Sequence, residues 1–505
     1  MNFPSVAIIG AGPAGLTAAY QLAKAGCLGV VLEGDPQYVG GISKTVSHKG
    51  YHFDIGGHRF FSKSKEVENL WSELLPDDML VRPRSSRILY RGKFFSYPLK
   101  AIEALRKLGI FESLRCVLSY ARACISPVRN PRNFEDWVGN QFGKRLFNIF
   151  FKTYTEKVWG MDCRDISADW AAQRIKGLSL KTAVLAALFP KRSPRAGEEV
   201  VKTLIDSFRY PRRGPGMMWD ACAARVRAMG GIVEMGRRVT RCHFSAESGD
   251  WTVTTLDAEG REHLVMAKHV ISSAPVRELV AMLSPGLPES TIHASRQLKY
   301  RDFITVVLML KDREVFTDNW IYVHDPSVLV GRVQNFKSWS PEMVPDPAMA
   351  CYGLEYFCFE HTGLWKLTDE QLQLLARTEI VKLGLAREED IVDAHVVRQR
   401  KAYPVYDDAY AAHMETIRAD LERLFPTLHL VGRNGMHKYN NQDHSMMTAM
   451  LTAKNILAGK RVFDVWQVNE DAEYHESGDS RVATSGLRLV PKSVTAGAAE
   501  APAQA

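Results

Sequence analysis

The chain begins with an apolar run, Val6-Ala-Ile-Ile9, that stops at Gly10-Ala-Gly-Pro-Ala-Gly15 and passes into an Ala- and Leu-rich stretch, Leu16 to Ala25. This order predicts a short buried strand, a glycine turn and a helix. A second apolar run, Cys27-Leu-Gly-Val-Val-Leu32, ends at Glu33, so residues 1 to about 65 read as the βαβ start of a nucleotide-binding domain. From about 99 to 208 the apolar spacing becomes helical, over Leu99–Leu108, Phe111–Cys124, Phe134–Phe151 and Ser167–Leu188. Tyr210–Gly216 predicts a turn, followed by a helix over Met217–Met229 and strands at Gly231–Glu234, Arg238–Arg241, Trp251–Thr255 and Ala267–Ser272. Phe303–Leu310, Trp320–Val323, Leu329–Val333 and Ala350–Glu355, separated by Pro and Gly turns, predict an antiparallel sheet. A last strand, Leu428–Arg433, leads through Asn440–Ser445 into an amphipathic helix over Met446–Leu457.

The glycines after the first strand have separate tasks. Gly10 permits the tight turn, Gly12 lets the backbone approach a pyrophosphate, and Gly15 allows helix and strand to pack closely. The helix start offers N–H groups and a positive end to that anion. Glu33, at the end of the second strand, is placed to accept hydrogen bonds from an adenosine ribose. A paired glycine, Gly40-Gly41, follows this acid, and Asp54-Ile-Gly-Gly-His58 comes soon after. Such a pair favours FAD over NAD. No second Gly-x-Gly-x-x-Gly exists, so NAD(P)H or another reductant of the flavin would visit the substrate cleft. Asn441, Asp443 and Ser445 are cap candidates for the last helix, whose positive end suits the anionic reduced flavin.

The expected fold is therefore α/β: a Rossmann-like FAD-binding domain with a helical insertion and an antiparallel β-sheet substrate domain. The FAD-binding domain is expected in three parts, 1–98, 209–288 and 401–468. Residues 99–208 form the insertion, 289–400 the substrate sheet, and 469–505 a polar, then Ala/Pro-rich disordered tail.

A length of 505 residues exceeds what one core organises, and 46% hydrophobic with 24% charged residues fits a globular chain. No apolar run reaches the length of a membrane span and no signal-like start is present, so the expected location is cytoplasmic. The eight cysteines lack metal-ligand or redox spacing and read as reduced packing residues; no metal is expected. The net charge of +8 is dispersed, which argues against nucleic acid and suits a small anionic substrate. Nothing in the pattern excludes an oligomer.

Gly56-Gly-His-Arg-Phe-Phe-Ser62, Tyr97-Pro98, Lys157-Val-Trp159, Trp320-Ile-Tyr322, Gly331-Arg-Val333 before Ser340-Pro341, Tyr403-Pro404, and Gly432-Arg433 with Tyr439 through Asn441-Gln-Asp-His-Ser445 share order and spacing. Together, over about residues 5 to 460, they resemble the UDP-galactopyranose mutases, in spacing closest to the eukaryotic type. That family lies within the FAD-dependent amine oxidase and protoporphyrinogen oxidase-like superfamily. The resemblance implies a flavin-dependent mutase that interconverts UDP-galactopyranose and UDP-galactofuranose for surface glycans. In it FAD works reduced, and its N5 is the nucleophile at the anomeric carbon.

The resemblance also assigns residues. Arg174 and Arg332 match two arginines that grip the nucleotide-sugar diphosphate, a task for which guanidinium is suited by its permanent charge and paired N–H groups. Alone, Arg174 would read as a solvated helix charge and Arg332 as an edge-strand charge. Tyr322, Tyr403 and Tyr439 match hydroxyl donors to the diphosphate, with Tyr97 and Trp320 beside them. Phe150, Tyr154 and Trp159 match the uridine and sugar walls, though aromatics at helical spacing equally build cores. Around the flavin the matching positions are Gly12, Glu33, Gly41, Gly57, His58, Arg433 and Gln442. Gly57-His58 resembles a loop near the flavin N5, where glycine permits backbone strain; His58 reads equally as a structural histidine.

Three positions depart from the pattern: Lys100 replaces an amide, Thr155 an Asn, and Val405-Tyr406 the usual Thr-Pro. All lie on the nucleotide side and leave base and sugar open, but not the diphosphate clamp. The rival reading is an FAD-dependent oxidase or desaturase, which shares the glycine signatures but calls for an apolar channel.

Overall fold

A computed structural model of the chain describes residues 5–166, 207–407 and 409–469. The predicted helix Ser167–Leu188 with its Arg174, and the tail beyond Asn469, lie outside the described residues. Five parallel strands run in the spatial order Leu428–Leu430, His269–Ser272, Val6–Ile9, Gly29–Leu32, Ile232–Glu234. The central strand Val6–Ile9 is buried throughout, which is what an unbroken apolar run requires when both faces of a parallel sheet are covered.

The helices Pro13–Lys24 and Gln442–Leu457 pack against each other on one face of this sheet. The latter begins earlier than its apolar pattern suggests. It is also buried on every side from Asp443 to Ala453, so the amphipathic face expected over Met446–Leu457 is not there. A helix buried all round belongs inside a large domain. On the other face, Asp250–Leu256 and its neighbours form a smaller sheet that shares a core with the parallel strands through Trp251, Val253 and Val270.

The second large layer has seven strands, in the order Ile391–Pro404, Tyr300–Lys311, Met349–Cys358, Arg332–Asn335, Trp320–Val323, Ser86–Tyr90, Lys93–Ser96. All pairs are antiparallel except Trp320–Val323 with Ser86–Tyr90. The expected boundaries at 98 and 400 therefore shift. Residues 86–96, assigned above to the cofactor domain, are strands of this sheet, and its other edge runs on to Pro404. Local pattern missed these strands because their partners lie more than two hundred residues away or carry mixed polarity.

The predicted helix Phe134–Phe151 is broken. It runs over Phe134–Phe142, resumes at Lys144–Phe147, widens into a π turn at Asn148–Lys152, and continues as Thr153–Trp159. Gly143 makes the break: at φ 79° it brings the chain so close to Tyr120 that a Cβ would sit 2.7 Å from that backbone nitrogen.

Candidate active site

The first strand ends in a bare backbone cradle. The Gly10 N–H donates to the Leu32 carbonyl at 2.9 Å, and a Cβ on Gly15 would lie 1.9 Å from the Gly10 oxygen, so only glycine lets the helix start this close. Gly40 donates to the Ala11 carbonyl at 2.8 Å, setting Gly41 opposite Gly12; a Cβ on Gly12 would meet the Gly41 Cα at 3.8 Å. The helix Pro13–Lys24 has no side-chain cap and no acid in its first turn, which leaves its N–H groups to an anion. Glu33 closes one side: its carboxylate accepts from the Ala11 N–H at 2.6 Å and the Asp35 N–H at 2.9 Å. Burial raises its pKa, opposed by those two N–H groups.

A loop from strand Tyr51–Asp54 joins this cradle to the seven-stranded sheet. The positive φ, +91°, falls on Gly56 and not on Gly57, which corrects the expected place of strain. Gly57 is needed for room: a Cβ there would press on the Gln334 Nε2 at 3.2 Å and the Trp339 ring at 3.3 Å. Next comes His58, whose pKa is pushed down to about 3 by burial, then by the charges of Arg433 and Arg332. It is neutral at physiological pH. Arg433 donates to the carbonyls of Asn440 (2.8 Å) and Ala402 (3.3 Å) and lies over the rings of Tyr403 and Tyr439. Asn441 holds the cap position of the long helix, its N–H donating to His444 Nδ1 at 3.2 Å, while Asp443 and Ser445 are buried inside the first turn. Gln442 Nε2 donates to the Arg59 carbonyl at 3.3 Å, and its Oε1 has no partner among the described residues.

Across the sheet, Tyr322 pairs with Arg332 and Arg332 with Glu355 in register, so the three side chains share one face. The Arg332 guanidinium donates to the Glu355 carboxylate, which also accepts from Gln334 Nε2 at 2.8 Å. Burial works against the Arg332 charge, but Glu355 and the tyrosines 154, 403 and 322 hold it well above its ordinary pKa. Tyr322 is edge-on to Tyr154 at 5.3 Å and lies 4.7 Å from Tyr97. Tyr403 stacks on Tyr439 at 5.6 Å, and Trp159 flanks Tyr439 at 6.4 Å. Trp320 stacks on Trp339 at 5.5 Å. Phe150 packs on Phe95 at 5.1 Å in the same core cluster as Trp320 and Tyr322, and among the described residues no arginine lies over its ring.

Several residues escaped sequence reasoning. Glu355 carried a signal, an acid inside an apolar strand. Arg301 carried another, a cation at the head of one. Its guanidinium lies 5.0 Å from the Trp159 ring, 5.0 Å from Phe357 and 5.1 Å from Tyr403. The departure Tyr406 serves the site, since its hydroxyl accepts the Tyr439 backbone N–H. Among the described residues no cluster of three or more metal-ligating side chains occurs, and no helix is long and apolar enough to cross a membrane.

The cradle of Gly12 and Gly41, the uncapped helix start, Glu33 and the unpartnered Gln442 Oε1 together fit a flavin dinucleotide. Residues 13–455 match the model of the flavin containing amine oxidoreductases, and the chain belongs to that family. It is a flavin-dependent enzyme and FAD is its cofactor.

Among particular relatives, a Klebsiella pneumoniae protein named "Probable UDP-galactopyranose mutase" is 28% identical over 176 residues, which span 33% of this chain and 44% of that protein. The crystal structure of a reduced UDP-galactopyranose mutase shares the fold with a TM-score of 0.76 at 22% identity, over 90% of this chain and 96% of the other. Putrescine oxidase bound to putrescine also shares it, with a TM-score of 0.57 at 18% identity over 90% and 99% of the two chains.

Proposed function

We propose that this enzyme interconverts the pyranose and furanose forms of a nucleotide sugar, with UDP-galactose the first candidate. The observation that carries the reading is the row Tyr322–Arg332–Glu355 beside the stacked Tyr403–Tyr439 pair, next to the Gly56–His58 loop that adjoins the cofactor half. When bound and reduced, the flavin supplies a nucleophilic N5 at the anomeric carbon.

This chain's own residues handle charge. Breaking the sugar–phosphate bond leaves negative charge on the diphosphate, and a fixed guanidinium there stabilises the transition state more than the ground state. Arg332 fills this role, with Glu355 and Gln334 fixing its orientation so that little reorganisation is needed. Arg174, outside the described residues, is proposed as the opposing arm. Tyr322, Tyr403 and Tyr439 are proposed to donate hydroxyl hydrogen bonds to the same oxygens. His58, held neutral, offers one ring nitrogen as donor and one as acceptor without adding charge beside the flavin. NAD(P)H or another soluble reductant is proposed to recharge the flavin, in the cytoplasm.

The putrescine oxidase likeness raises amine oxidation as the competitor. An ammonium substrate would be repelled by Arg332, Arg301 and Arg433, whereas a diphosphate is attracted. Anaerobic incubation of dithionite-reduced holoenzyme with UDP-galactopyranose, followed by chromatography of the nucleotides, tests the reading. The expected result is a second nucleotide sugar of equal mass with the flavin still reduced. Oxygen consumption with a diamine, and no nucleotide product, would overturn it.

A further inference from the structure

Arg301 is 1% exposed, and its Nε, Nη1 and Nη2 all lack a hydrogen-bond partner among the described residues. The nearby acids are engaged elsewhere: Glu355 serves Arg332 and Gln334, and Asp302 accepts the Lys401 N–H at 2.8 Å. Three aromatic rings enclose the guanidinium, and its electrostatic neighbours are Tyr439, Tyr403, Arg332 and Tyr154. A buried cation without a protein counter-ion among the described residues opposes folding, and ring contacts compensate it only in part. Such a group persists in a functional cleft when a ligand supplies the missing charge.

We propose that Arg301 is a further anion-attracting guanidinium of this cleft, lying behind Tyr403 and Tyr439 and drawing in the diphosphate of the nucleotide sugar that they face. The proposal rests on the mutase reading for the identity of the ligand, but not for its charge. Arg301 acts as a positioning residue: in a poorly screened interior its positive charge strengthens the tyrosine hydroxyls as donors and draws the anion to the Arg332 side of the sheet. Arg301 sits directly opposite Tyr403 in the strand register, which brings its guanidinium against that ring.

The test compares wild-type, Arg301→Met and Arg301→Lys holoenzymes for flavin content, thermal midpoint, and affinity for UDP and for inorganic pyrophosphate. Arg301→Met is expected to keep its flavin, melt no lower than wild type because an uncompensated charge is gone, and bind UDP at least tenfold more weakly. Arg301→Lys, which keeps the charge, is expected to stay within about threefold. Unchanged UDP affinity in Arg301→Met, or a lower melting point in both variants with affinity lost equally, overturns the proposal and leaves the mutase reading standing. Pyrophosphate binding that is lost in Arg301→Met, in an enzyme that ignores UDP, supports the proposal and sinks that reading. A wild type that binds neither anion overturns both.

Discussion

The cofactor cradle and the substrate cleft are built by opposite means. The cradle is made of missing side chains: Gly10, Gly12, Gly15, Gly40 and Gly41 bring backbone to backbone, and one acid, Glu33, closes the rim. The cleft is made of large side chains, Arg332, Arg301, Tyr322, Tyr403 and Tyr439, gathered from strands and loops far apart in the chain. A site made by absence depends on shape and fails completely when filled. A site made by convergent charge depends on several partners, and loses function in proportion to the partner removed.

The largest effect is therefore expected in the cradle. Gly15→Val places a side chain where even a Cβ would lie 1.9 Å from a backbone oxygen that cannot move, so purified protein should carry almost no flavin by its visible absorbance. Arg332→Ala should keep the yellow cofactor yet lose about a hundredfold or more in turnover, the usual cost of removing one preorganised charge partner. The same change strands the Glu355 carboxylate, and a destabilisation of about 3 kcal/mol is expected in chemical denaturation. Removing charge at the rim of the cradle is milder. Glu33→Gln should weaken flavin affinity about tenfold, measured by titration of the apoprotein, because a hydrogen bond to a charged acceptor becomes one to a neutral amide.

The smallest effect concerns acid. His58 titrates at about 3 in the fold against 6.5 in the unfolded chain, so the unfolded chain takes up its proton first as pH falls. The stability linked to its neutral form is complete above pH 6.5 and is lost as pH falls from there towards 3. Burial likewise pushes His324 and His429 down to about 3, and they add to this slope. His58→Asn should flatten the fall in stability between pH 6.5 and 4 without removing it, while Arg433→Met, by taking away one of its charged neighbours, should raise the His58 pKa seen by NMR.

Legibility in the sequence followed the same division. The strand–turn–helix of residues 6–24, with its glycines and acid, was readable because each step is decided by neighbours a few positions away. The helix break at Gly143 was not, since the Tyr120 backbone that demands it belongs to another helix. Likewise, Gly57 was singled out for backbone strain, but what its position demands is space against Trp339, and the left-handed backbone is its neighbour's. Motif resemblance named Arg332 and the tyrosines, yet Glu355, which fixes that arginine, and Arg301, which goes unpaired among the described residues, became evident only when four strands were laid side by side.

By itself, then, the sequence determined the parallel core around Val6–Ile9 and the glycine cradle at its end, because local hydrophobicity and backbone freedom suffice for both. Tertiary structure alone decided which strands share the seven-stranded sheet, which carboxylate meets which guanidinium, and which buried cation has none among the described residues. Those outcomes depend on register between segments from about twenty to more than two hundred residues apart, and on burial that gives a charge its cost only once the chain has closed around it.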